Sequence, residues 1–436
     1  MPADRVILGE DVIYSTDTRE TGLNNNVIVC GSCGCGKTMS ISEPRLLETF
    51  NSSLIATVTK RRIVHKYKPV FERRGYAVED LNFIRPADSS VSYDPLQYVG
   101  SCSDITFLAE SIVKANPRKD KSNADPYWDD AAISLLSAEI AYILITRKNA
   151  TFADVLELHG ELDFVESDGL VATSLDEKFD RLAEKDPKCF AVSCWKSFRN
   201  VPFKTGSCIF GVLNTTIDTI FSPELRKMIA ANRKVDFRKL ATRKTVLFVS
   251  TSAVNPSLHC FINMFYAQAF KTLFEYAESL PNGRLPIPVH VLCDDFATGG
   301  RILNFPEYIS IFREKQVSVT LLVQSESQLE SMYGSDDATT IINNCDTYLY
   351  MGGMDLKTGR SMSERLNVPL EDVLYMPIGK EFIFRRGQKP IVTTRYDIMK
   401  DEKYQQITKE YEERIAGCEH LRRIRRPRYK NLLLPT

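Results

Sequence analysis

Residues 31–38 read Gly31-Ser32-Cys33-Gly34-Cys35-Gly36-Lys37-Thr38, which fills every constrained position of the phosphate-binding pattern G-x4-G-K-[ST]. Glycines are needed where backbone N–H groups must close around phosphate oxygens. Lys37 would reach the β- and γ-phosphates, and the Thr38 hydroxyl would bind Mg2+. The helix expected to begin near Lys37 turns its positive end toward the same anion. The apolar run Val27-Ile28-Val29 leads into the loop as a strand. ATP with Mg2+ is therefore the expected ligand, and a nucleotide-hydrolysing enzyme the expected class. Cys30, Cys33 and Cys35 also lie here, and close thiolates can chelate zinc. With no second pair of cysteines or histidines at matching spacing, they read instead as small packed side chains.

Completing Mg2+ binding and activating water needs a carboxylate at the end of a second strand. Val289-His290-Val291-Leu292-Cys293-Asp294-Asp295 supplies two. Asp294 is expected to hold the metal and Asp295 to polarise the attacking water, against the plainer reading of an acidic pair capping a loop. Thr320-Leu321-Leu322-Val323 ends in Gln324, whose amide has the chemistry to bind a γ-phosphate or the lytic water. A surface glutamine is the alternative. Arg313, on the intervening helix, is a candidate arginine finger toward a neighbouring subunit, although helix arginines are more often solvated.

These side chains need a scaffold. Apolar, β-branched runs mark buried strands at Asn26–Cys30, Leu54–Val58, Thr245–Ser250, Val289–Asp294, Ser318–Val323 and Thr347–Met351, with helical patterns between most of them. Such alternation predicts an α/β fold with a mainly parallel sheet covered by helices. Glu381–Arg385 and Pro390–Thr394 flank Arg386-Gly387-Gln388 and read as a hairpin at the sheet edge. From Ser101 to Ser207 the strand signals stop. Trp128–Thr146 has helical spacing, with Trp128, Ile133, Leu136 and Ile140 on one apolar face. Asn116–Asp125 is polar enough for an exposed connection. Asp401–Ile415 is a charged helix, and Leu421–Lys430 holds basic residues with no acid.

The expected organisation is a nucleotide-binding domain in two parts, residues 1–100 and 216–400, interrupted by an inserted all-α domain at 101–215. A charged helix and basic tail follow at 401–436. The 436 residues suffice for a large core. The 56 basic and 56 acidic residues cancel, so no whole-molecule attraction to nucleic acid is expected. An odd total of eleven scattered cysteines fits a reducing cytoplasm better than a disulfide framework. Met1–Glu10 lacks the apolar stretch of a signal peptide. The most apolar helical run, Ile133–Ile145, contains Glu139 and falls short of the roughly 20 residues a bilayer needs.

In order along the chain, several pieces join the phosphate loop: Gly75-Tyr76-Ala77-Val78, Tyr93-Asp94-Pro95-Leu96, Asp125-Pro126-Tyr127-Trp128 and Lys244–Val249. Asp294-Asp295-Phe296-Ala297 with Gly300, Gln324–Gln328 with Tyr333-Gly334, and Asn344-Cys345 before a strand ending at Gly352 complete the set. From about Asn26 to Asp397 the chain thus resembles the conjugative coupling proteins of type IV secretion systems, TraG-like ring ATPases related to RecA and FtsK. The resemblance implies a RecA-like P-loop nucleotide-binding domain with an inserted all-α domain, assembled as a homo-hexamer around a channel. It implies that Lys37 and Thr38 bind nucleotide and Mg2+, that Asp294 and Asp295 fill the Walker B positions, and that Gln324 is a sensor.

The implied partners are single-stranded DNA, relaxase and relaxosome proteins, and secretion-channel proteins, with the helical insertion meeting cargo. Three positions depart from the family. Asp295 replaces the usual glutamate, shortening the carboxylate by one methylene and inviting slow hydrolysis. Val58-Thr59-Lys60-Arg61-Arg62 stands where Asp-Pro-Lys-Gly-Glu is common, and the usual N-terminal transmembrane segment is not found. A cytoplasmic protein recruited to the membrane by a separate anchor is expected. An ATP-driven motor for conjugative DNA transfer is the leading function, and a slow or inactive, nucleotide-gated recruitment platform the alternative. A chromosome-segregation or phage-packaging motor fits the large helical insertion less well.

Overall fold

The computed structural model describes residues 3–114, 126–167, 170–252, 256–296 and 301–425. The expected connection Asn116–Asp125, the motif residues Ala297 and Gly300, and residues 426–430 of the basic stretch lie outside them. Thirteen strands are described: β1 (Arg5–Gly9), β2 (Val12–Ser15), β3 (Val27–Cys30), β4 (Ser53–Val58), β5 (Ala77–Asn82), β6 (Phe164–Ser167), β7 (Leu170–Thr173), β8 (Thr245–Ser250), β9 (Val289–Cys293), β10 (Val317–Val323), β11 (Thr347–Tyr350), β12 (Lys380–Arg385) and β13 (Ile391–Thr394). Nine of them form one sheet in the order β13-β12-β11-β3-β10-β9-β4-β8-β5.

The seven strands from β11 to β5 are parallel, as the apolar runs of all but the edge strand β5 lead one to expect. β3, β4, β8 and β9 are buried at every position. Each fully covered valine, isoleucine or leucine there contributes about 1.5–3 kcal/mol of transfer free energy. β12 and β13 close one edge as the expected antiparallel hairpin. Asn26 ends just outside β3 because its side chain stitches the neighbours: its Oδ1 accepts from Val319 N at 3.1 Å, and its Nδ2 donates to the Asn344 carbonyl at 2.9 Å.

Three strand pairings were not legible. β5 carries Glu79 and Asp80 and pairs with β8 at the other edge, so its polar residues mask the pattern. Arg61, in the basic run after β4, holds Asp80 at 2.6 and 2.7 Å and Ser250 at 2.7 Å, which gives that departure from the family run a structural role. β1 and β2 form a short hairpin of their own.

The segment expected to be all-helical is corrected in two respects. It contains the antiparallel hairpin β6-β7, whose strands are too short to leave a period-two signal. Its expected end at 215 falls inside the helix Phe203–Ile220, because the chain turns only where Ser222 caps the next helix and Pro223 opens it. On the long helix Pro126–Thr146, Leu136 and Ile140 are buried, Ile133 is half-buried and Trp128 is exposed, so Trp128 leaves the predicted face. Glu139 of this helix is fully buried and pairs with His159 Nδ1 at 3.0 Å. Aromatic contacts run from the helical segment into the sheet layer, Phe152 to Phe221 at 5.0 Å, Phe221 to Phe261 at 5.6 Å and Phe261 to Phe83 at 5.2 Å. The insertion therefore shares its core with the α/β layer.

The charged C-terminal helix, Glu402–Arg425, packs along the helix Arg61–Arg73. Lys66 Nζ lies 3.5 Å from the centre of the Tyr404 ring and 3.4 Å from the buried Glu43 carboxylate. Among the described residues no helix is long and apolar enough to cross a membrane.

Candidate active site: a phosphate loop between two strand ends

The loop after β3 is fixed by its neighbours on both sides. Gly31 N donates to the Val323 carbonyl at the end of β10 at 3.2 Å, and Ser32 N to the Gly352 carbonyl beyond β11 at 2.9 Å. Gly36 has φ +96°, a conformation that side chains rarely adopt, so glycine is required at this point. Lys37 is buried, and its ammonium donates to the carbonyls of Gly31 and Ser32, the latter at 3.0 Å. The loop thus curls around the cation that the motif assigns to phosphate.

The helix leaving the loop starts differently from expectation. Thr38–Ser42 is a wide π turn, and Glu43–Leu47 continues as an α-helix. Pro44 has no N–H to give to the Ser40 carbonyl, so the ordinary i to i−4 ladder is interrupted here. Single π turns recur at functional sites. Cys30 is buried, Cys35 half-buried and Cys33 exposed, so only Cys30 is the enclosed side chain expected of all three. Among the described residues no group of three or more His, Cys, Asp or Glu side chains is arranged to hold a metal.

β9 delivers the second half of the site. Thr38 Oγ1 donates to Asp294 Oδ2 at 3.4 Å, bringing together residues 256 positions apart. Burial, then the charge of Asp295, push the Asp294 carboxyl up to about 6, while the Thr38 hydrogen bond and the charges of Lys37 and Lys60 pull the other way. Asp295 is half-buried with φ +57°, and Phe296 N returns to the Leu322 carbonyl at 2.8 Å, so the chain folds across the end of β10. Asp and Asn tolerate this left-handed backbone better than longer side chains do.

Gln324 follows β10 directly beside the start of the loop, exposed, with its N–H donating to Gln328 Oε1 at 3.1 Å. Arg313 is exposed on the helix Phe305–Lys315 and lines a cavity of about 490 Å3 with Arg45, Arg284 and Ser318, where β10 begins. It is not brought to the phosphate loop of its own chain. One residue near the loop escaped the sequence reading: Arg395, after β13, whose Nη1 donates to the Cys35 carbonyl across 360 positions of chain. No local motif marks it.

A loop of this form after a strand flanked by parallel neighbours, with an acidic strand end facing its threonine, defines a RecA-like P-loop fold. The chain belongs to the type IV secretory system conjugative DNA transfer family, whose model matches residues 4–368. No curated protein matches the chain. Among solved structures, it is similar to the bacterial conjugative coupling protein TrwBΔN70 in its unbound form, at TM-score 0.66 and 15% identity over 91% of this chain and 89% of that one. The plasmid coupling protein TrwB in complex with ADP and Mg2+ matches at TM-score 0.60 and 14% identity over 91% and 96%. VirB4 of Thermoanaerobacter pseudethanolicus matches at TM-score 0.56 and 11% identity over 93% and 99%.

Proposed function

We propose that this protein binds and hydrolyses ATP as a coupling protein, bringing relaxase-bound single-stranded DNA to a type IV secretion channel and driving its transfer. The reading rests on the 3.4 Å approach of the Thr38 hydroxyl to Asp294 at the mouth of the phosphate loop. These are the two oxygen donors that a nucleotide-bound Mg2+ requires from the protein. The donor set fits: a hard cation prefers a hydroxyl and a carboxylate, and its charge would offset the burial that raises the Asp294 carboxyl. When bound, Mg2+ supplies neutralising charge to the phosphate oxygens.

The protein's own groups supply the rest. Lys37 exchanges its loop carbonyls for the β- and γ-phosphates, and the N–H groups of residues 31–38 surround them. Asp295 orients the attacking water and accepts its proton, and Gln324 hydrogen-bonds the water or the γ-phosphate. Relaxosome and channel proteins, with a membrane anchor among them, place the ring at the cytoplasmic face of the membrane. The solved TrwB complexes with an ATP analogue and with ADP and Mg2+ support this reading by analogy of fold.

A second reading, a nucleotide-gated recruitment platform with slow turnover, is favoured by Asp295. Its carboxylate is one methylene shorter than a glutamate, and a misplacement of that order weakens catalysis by orders of magnitude. Phosphate release from MgATP, measured with and without single-stranded DNA, separates the two. The motor reading predicts DNA-stimulated turnover that Lys37→Ala abolishes. Tight nucleotide binding with turnover indifferent to DNA supports the platform, and unchanged nucleotide affinity in Lys37→Ala would remove the site assignment altogether.

A further inference from the structure

Two cations hold the backbone of the phosphate loop. Lys37 donates inward to the carbonyls of Gly31 and Ser32. Arg395 Nη1 donates to the carbonyl of Cys35. Its guanidinium also fills the space beside the next residue: a Cβ placed on Gly36 would lie 2.8 Å from Arg395 Nη1. Arg395 is itself anchored by backbone, its N–H donating to the Gly379 carbonyl at 2.8 Å. The carbonyl of the preceding residue, Thr394, accepts from Glu10 N at 3.0 Å.

In a trans peptide the carbonyl and the following N–H point to opposite sides. A cation that holds the Cys35 carbonyl therefore turns the Gly36 N–H away from itself. We propose that Arg395 is a positioning residue of the phosphate loop, fixing the Cys35–Gly36 peptide so that its N–H faces the bound phosphates. This rests on the nucleotide-binding reading above and adds a residue from the far end of the sheet to it. The proposed role becomes most important once nucleotide binds, because the phosphates then draw Lys37 away from its carbonyls while Arg395 keeps its hold on the loop. The contact is charge-assisted, which makes it stronger than a neutral hydrogen bond. It also ties the loop to the segment that leads into the C-terminal helix, whose Tyr404 hydroxyl reaches Met39 Sδ at 3.9 Å.

Arg395 borders a cavity of about 740 Å3 between the loop and residues 396–400, so shortening its side chain exposes space already open and leaves the core intact. The test compares the parent protein with Arg395→Ala, Arg395→Lys and Arg395→Gln. It measures MgADP affinity by calorimetry and the thermal midpoint of each protein without nucleotide. The expected result is a loss of roughly tenfold in MgADP affinity for Arg395→Ala, the size of one charge-assisted hydrogen bond. Arg395→Lys should recover most of it and Arg395→Gln part, at midpoints within a few degrees of the parent. Unchanged affinity in Arg395→Ala, while the parent binds and Lys37→Ala does not, overturns the proposal and leaves the nucleotide site standing. Affinity that falls in step with the midpoint in all three variants overturns it as well, since the residue would then only support the fold. A parent protein that takes no MgADP would sink the nucleotide reading and this proposal together.

Discussion

Thr38 and Asp294, 256 residues apart in sequence, meet at 3.4 Å where the loop after β3 faces the end of β9. β10 lies between those two strands in the sheet, and β3, β10 and β9 are parallel, so their carboxyl ends open on one side and both side chains emerge there. This is the position at which ligands bind in open α/β sheets.

That pairing gives the first prediction. Asp294→Asn keeps the shape and a hydrogen-bonding oxygen but removes the anionic donor proposed for the metal. Nucleotide affinity without Mg2+ should change little, the enhancement of binding by Mg2+ should disappear, and turnover should fall by about 100-fold or more. Calorimetric titration of ADP with and without Mg2+, followed by phosphate-release assays, reads both effects. An Asp294→Asn protein that still gains affinity on adding Mg2+ would show that the metal donor lies elsewhere.

Asp295 gives the second prediction, because its backbone and its chemistry pull in different directions. At φ +57° a short Asx side chain is tolerated and a longer one is strained. Asp295→Glu restores the reach of the usual family carboxylate and should raise turnover, while costing about 0.5–1 kcal/mol of stability from the left-handed backbone. Asp295→Asn should keep the fold and nucleotide binding but lower turnover by about 100-fold. Denaturant unfolding and single-turnover kinetics on the parent and both variants decide it. Equal rates in the parent and in Asp295→Asn would mean that this residue takes no proton.

The phosphate loop and the parallel strands were legible because each rests on local chemistry. Glycines, Lys37 and Thr38 sit within eight residues, and a strand buried on both faces is an apolar run wherever it lies. β5 was missed for the same reason in reverse: it closes an edge, and Arg61 neutralises its Asp80 from another element. The insertion's end was misplaced because helical periodicity continues smoothly through 215 to Ile220, and only Ser222 and Pro223 stop it. Arg395 could not have been found at all. Its partner is a backbone carbonyl, which every residue carries, and the contact exists only after β13 has been folded against the sheet edge.

Glu381 on β12 supplies the last prediction, a dependence of stability on pH. It is fully buried, and among the described residues neither carboxylate oxygen has a hydrogen-bond partner. The chain crosses so tightly above it that a Cβ on Gly9 would fall 2.9 Å from Glu381 Oε1 and 2.6 Å from the Thr393 methyl. Burial pushes this carboxyl up to about 8 from 4.5, against the opposing charge of Arg395. The folded protein therefore keeps a proton that the unfolded chain releases near 4.5. Where the folded state binds more protons, stability falls as pH rises. The contribution is complete below about 4.5, declines through the interval and is exhausted above about 8. Glu381→Gln fixes the neutral form, so it should flatten this slope and raise stability at about pH 8.5 by about 1–3 kcal/mol, the cost of a buried group left unpaired. At about pH 5, only about half a pH unit above the point at which the unfolded chain releases its proton, the substitution should change stability much less than at about pH 8.5. Urea unfolding of both proteins from about pH 5 to about pH 9 measures the difference, and parallel curves across that range would show that the Glu381 carboxylate finds solvent or a partner in the folded protein. Arg395→Ala provides an internal control, because removing the nearby cation leaves the charged form of Glu381 less supported and should steepen the loss at high pH.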